Sequence, residues 1–116
     1  MNNQVDVLGV KYSIIGKTQA EDRKLNEGNL LGYCDPTVKE IVYALRPDET
    51  DAMACADLSY IEKKTVRHEI IHAFLYESGL DNDSLDDGAW ATNEEMVDWL
   101  AIQFYKIAKA FEKVGC

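Results

Sequence analysis

Histidine is scarce in this chain. His68 and His72 are the only two, so one site at most can be built on an imidazole pair. Cysteine is also sparse: Cys34, Cys55 and Cys116 stand far apart and form no C-x-x-C pair. An odd count without an export signal suggests reduced thiols in a cytoplasm. Cys34 and Cys55 are expected to pack as small apolar residues, and Cys116 to lie exposed. No apolar run approaches the roughly 20 residues of a membrane span. Met1 to Asp6 lacks a basic region followed by an apolar stretch, so no signal peptide is expected and the location is expected to be cytoplasmic. Basic residues are outnumbered, 12 against 21 acidic, for a net charge of −9. That balance argues against a nucleic-acid partner and against an anionic membrane surface.

With 116 residues, 47% of them hydrophobic and 28% charged, the composition is that of one soluble globular domain spanning 1–116. Val5 to Ile15 alternates β-branched and aromatic residues with polar ones, which predicts one strand with a bulge at Gly9. Gly16 to Asn26 is polar and reads as a loop or a short helical turn. Asn29 to Asp35 predicts a short strand, broken by Asp35-Pro36. Thr37 to Leu45 predicts the next strand, pairing with it as a hairpin. A turn-rich connection, Arg46 to Asp51, then leads to the first long helix. Asp57 or Ser59 would cap that helix, and Gly79 would stop it. Leu80 to Gly88 is acidic, but its spacing fails the calcium-loop pattern and it reads as a solvated loop. Trp90 to Val114 predicts the last helix. Its stripe Met96, Trp99, Leu100, Gln103, Phe104, Ile107, Ala110 and Phe111 is expected to be core that docks the helix. The fold expected is α+β: a small antiparallel sheet of about three strands packed on two long helices.

His68-Glu69-Ile70-Ile71-His72 spells H-E-x-x-H inside the first long helix. Residues four apart lie one turn above each other, so two imidazoles can aim at one point. Glu69 lies about 100° round the helix, within reach of a water on a shared ion. In mechanical terms these are two zinc ligands and a general base. A chance pattern, or satisfied core histidines, is the bland alternative. A catalytic zinc needs a third protein ligand and an open fourth position. Glu94 is the candidate, 22 residues after His72 and at the start of the second long helix. Asp98, one turn later, could accept the second N–H of a ligating histidine. Glu95 is the rival ligand but points about 100° away. Without the upstream motif these acids would read as a solvated helix start.

Asn93-Glu94 followed four residues later by Asp98, downstream of H-E-x-x-H, resembles the second zinc motif of the thermolysin-type gluzincins. The short chain is similar to the minigluzincins within that clan, and to small zinc-peptidase-like proteins of phages and prophages. The resemblance covers Thr65 to Phe104 and implies a metallopeptidase acting on peptides or proteins. It implies one zinc ion on His68, His72 and Glu94, Glu69 as the base, and Asp98 with Asn93 behind the ligands. It further implies an edge strand that pairs with the substrate backbone, expected here at Lys39, Glu40, Ile41, Val42 and Tyr43. Larger gluzincins carry a Tyr or His that stabilises the oxyanion. No third histidine exists here, and Tyr12, Tyr33, Tyr43, Tyr60, Tyr76 and Tyr105 are all candidates. Residues 17–28 could cover the cleft. The alternatives are a zinc-stabilised binding or regulatory module without turnover, and a DNA-associated peptidase of the SprT type, which the acidic charge disfavours.

Overall fold

Leu8 and Gly9 both adopt positive φ, 52° and 86°, and the Asp6 carboxylate accepts the Gly9 N–H at 2.9 Å. Two successive positive φ values make a tight turn whose twist matches paired strands. The N-terminal stretch expected as one bulged strand is therefore a hairpin of β1 (Gln4–Val7) and β2 (Val10–Lys17). The computed structural model describes residues 1–81 and 89–116. The acidic loop expected at Leu80 to Gly88 falls mostly outside the described residues.

After β2 the chain crosses one face of the sheet. Asp22 caps the short helix α1 (Arg23–Glu27) by accepting the Leu25 N–H. β3 (Gly32–Asp35) and β4 (Glu40–Ala44) form the expected hairpin, but β4 inserts between β3 and β2. Because the chain crosses the sheet before that hairpin, β4 runs parallel to β2. The sheet is thus four-stranded and mixed, in the order β1-β2-β4-β3, not three-stranded and antiparallel. The α+β class stands.

Side chains alternate across the pleat, so each face of the sheet carries its own cluster. On one, Leu25 of α1 packs with Val42, Ala44, Ile15 and Tyr33. On the other, Val7, Tyr12 and Ile41 pack against Ala73 and Ile70 of the long helix α2 (Leu58–Glu77). Residues 17–28 thus include the helix on the far side of the sheet from α2 and do not cover a cleft there. Asp57 caps α2 and Gly79, at φ 79°, follows its end. Tyr12 Oη and Lys39 Nζ both donate to Glu77 Oε1 at 2.6 Å, tying the end of α2 to the sheet. Among the described residues no helix is long and apolar enough to cross a membrane.

The last segment begins with a 3-10 turn at Trp90–Thr92 and continues as α3 (Glu94–Val114). Asn93 caps α3 by accepting the Met96 N–H at 2.9 Å. Val97 and Ala101 are buried. Trp99, Phe104 and Phe111, expected in the core, are exposed. Periodicity shaped the helix surface, but within one copy α2 covers only its first half. Cys55 is exposed as well, and only Cys34 packs as expected.

Candidate metal centre

None of the eight α2 residues from Thr65 to His72 is exposed, and three of the four buried ones are polar: Thr65, Glu69 and His72. α3 approaches this polar stripe closely because Val97 and Ala101 are small. The approach lets Arg67 Nε donate to the Ala101 carbonyl at 2.9 Å. The first turns of α3 then place Glu94 and Asp98 against the histidines.

His68, His72 and Glu94 each offer a ligand atom, and the three lie close enough together to hold a metal ion. His68 Nε2 is 3.0 Å from His72 Nε2 and 2.9 Å from Glu94 Oε2. His72 Nε2 is 3.2 Å from Glu94 Oε1. The outer nitrogens face acceptors: His68 Nδ1 sits 2.8 Å from Asp98 Oδ1, and His72 Nδ1 sits 2.6 Å from the Ala91 carbonyl. Ionised carboxylates and carbonyls can only accept, which assigns the proton of each neutral ring to Nδ1. Both Nε2 atoms are then lone pairs pointed at each other and at a carboxylate. Such a trio is favourable only with a cation among its members, or a second proton on one imidazole. Tetrahedral bonds of about 2.0–2.1 Å would set ligand-to-ligand edges of about 3.3 Å. The group fits such an ion after widening by a few tenths of an ångström.

The cluster opens on a cleft of about 500 Å³ between α2 and β3, lined also by Leu30, Leu31, Ile61 and Lys64. Glu69 is only 7% exposed, and its carboxyl faces this cleft. Among the described residues it has no hydrogen-bond partner. Burial pushes it up to about 7, against the pull of His68, with Glu94 and Asp98 adding to the rise. Burial likewise pushes the Cys34 thiol up to about 12, helped by Glu69, so it stays a neutral packing group.

The structure brings His68, Glu69, His72, Glu94 and Asp98 together. It gives Asn93 the cap of α3 rather than a contact with the histidines. It also overturns the expected substrate edge. Lys39, Glu40, Ile41, Val42 and Tyr43 lie at or in β4, whose two sides are already paired with β2 and β3. The edge strand next to the site is β3. Its Gly32 passes so close to α2 that a Cβ there would lie 2.6 Å from Thr65 Cγ2. A glycine inside a strand signals close backbone approach, so this contact had a trace in the sequence. The Ala91 carbonyl had none, being backbone. Of the tyrosines, Tyr33 and Tyr76 line the cleft. Tyr33 donates its hydroxyl to Asp22 at 2.8 Å, whereas Tyr76 stacks on His72, ring centroids 5.9 Å apart. No protein-family model, curated protein or solved structure matches the chain.

Proposed function

We propose that this protein is a zinc-dependent hydrolase of peptide bonds, with His68, His72 and Glu94 as ligands and Glu69 as general base. Two imidazoles and one carboxylate suit a catalytic zinc and leave a fourth position for solvent. When bound, such an ion supplies an acidified water and a Lewis acid for a carbonyl. Glu69 would take a proton from the attacking water and return it to the leaving amine. Asp98 and the Ala91 carbonyl hold the two histidines in the ligating tautomer. The side of β3 left unpaired among the described residues offers main-chain groups to an extended peptide, which would then run past the cluster. Tyr76 is the candidate hydroxyl for the oxyanion, since the hydroxyl of Tyr33 is engaged elsewhere.

One observation carries this reading: a buried carboxyl, one residue from a ligand, faces the cleft among the ligands. An ion that merely tied α2 to α3 would need no such group. The test is hydrolysis of an unfolded protein by the zinc-loaded parent and by Glu69→Gln, with metal content measured on both. The variant is expected to keep the ion and lose activity by about 10²–10⁴-fold. Equal rates would remove the peptidase reading and leave a metal-stabilised module.

A further inference from the structure

The apolar stripe of α3 runs on past the body of the protein. Val97, Leu100, Phe104, Ile107, Phe111 and Val114 succeed one another at alternating steps of three and four, which is a heptad seam. α2 covers its beginning. Beyond Ala101, Phe104, Phe111 and Val114 are 61%, 56% and 74% exposed. Nothing among the described residues covers them. A continuous apolar stripe of this kind marks an interaction surface.

Charge placement is compatible with a second copy as the occupant. Lys106, Lys109 and Lys113 fall at the heptad positions that point away from the seam, on the opposite side of the helix. The positions flanking the seam hold Gln103, Ala108 and Ala110, all uncharged. Two copies of this stripe can therefore meet without bringing like charges together. A lipid surface would instead draw on those outward lysines, and binding to anionic vesicles separates the two occupants.

We infer that Phe104 to Val114 pairs with the same turns of a second copy, the two helices running antiparallel about a two-fold axis. α2 already occupies the seam at Val97 and Ala101. A parallel partner would have to place its own body in that volume. An antiparallel partner enters from the Gly115 end of α3, and its last turn comes level with Phe104. There it meets the mouth of an apolar groove formed by Ile70, Phe74 and Leu100. A phenylalanine covers about 150–250 Å² when fully buried. Two half-exposed rings with Ile107 and Val114 make a small interface, so the dimer should form in roughly the micromolar range. Glu94 lies ten residues before Phe104, about 15 Å along the helix, so pairing does not depend on the metal centre.

Sedimentation velocity over a concentration series, low micromolar to near millimolar, tests this. The parent is expected to pass from monomer to dimer. Phe111→Lys should weaken the dimer by roughly ten- to a hundredfold, while Lys109→Glu on the outward side should leave it unchanged. Far-UV circular dichroism and metal uptake through His68, His72 and Glu94 check that both variants are folded. A parent that stays monomeric throughout overturns the inference. So does a dimer indifferent to Phe111→Lys, or a monomer that sediments with anionic vesicles instead of pairing.

Discussion

The first turns of α3 and its last three share one helical rhythm and meet different surroundings. In the first, Glu94, Val97, Asp98 and Ala101 form a single face turned toward α2. Two are carboxylates that reach the histidines, and two are small residues that let the helices approach. In the last, the apolar positions are filled by Phe104, Ile107, Phe111 and Val114. Phe104, Ile107 and Phe111 are too bulky for such an approach, and Phe104, Phe111 and Val114 are left in water. The contrast separates two things that a sequence pattern mixes. Periodicity says that a face exists, and residue size and polarity say what can come near it. A helix can thus build a polar centre at one end and present an adhesive surface at the other.

The sharpest way to break this contrast is to exchange one residue in each half. Glu94→Ala should reduce bound metal from about one ion per chain to nearly none, because two imidazoles alone leave the coordination incomplete. Phe111→Lys should leave metal content untouched. Elemental analysis of the dialysed proteins reads both. If Phe111→Lys also loses the ion, the two halves are coupled and the division is wrong.

Glu69 sharpens the same division from the side of α2. Its carboxyl titrates at about 7 in the folded chain without metal, against an ordinary value near 4.5. Folding thus favours its protonated form. Stability of the metal-free protein should fall as pH rises from about 4.5 to 7, because the folded state binds the extra proton across that window. Above it the deficit is roughly 2–4 kcal/mol. Glu69→Gln should remove it, so the metal-free variant unfolds at higher denaturant than the parent at pH 8 and shows little difference at pH 4. An equal midpoint at pH 8 would mean that water reaches the carboxyl freely. The substitution expected to abolish turnover is therefore expected to stabilise the empty protein, as fits a group placed for chemistry at a cost in folding.

The centre was more legible in the sequence than the sheet around it. His68, Glu69 and His72 are fixed by spacing on one helix, and Glu94 and Asp98 by spacing on the next, which are local facts. Strand order is not local. Nothing within Glu40 to Ala44 records that β2 lies on one side and β3 on the other, so local pattern alone mistakes this inner strand for an edge. The β1–β2 turn leaves little trace because Leu8 occupies a positive-φ position where asparagine or glycine would announce a turn. The spacing of the α3 stripe shows a face but not a core, since it is the same whatever covers it.

Two valines on that stripe give the finest test. Val97 is fully buried and Val114 is 74% exposed. At a concentration where the chain is monomeric, Val97→Ala should cost about 2 kcal/mol, for the lost methyl groups and the gap beside α2. Val114→Ala should stay within about 0.5 kcal/mol, since no packing is lost and alanine favours the helix. Raising the protein concentration adds pairing to the folded state, and the cost of Val114→Ala should then grow while that of Val97→Ala holds. Urea midpoints at two concentrations measure both. Equal costs for the two valines at low concentration would mean that the end of α3 is packed within one copy. A cost for Val114→Ala that ignores concentration would mean that whatever covers this surface is not a second chain.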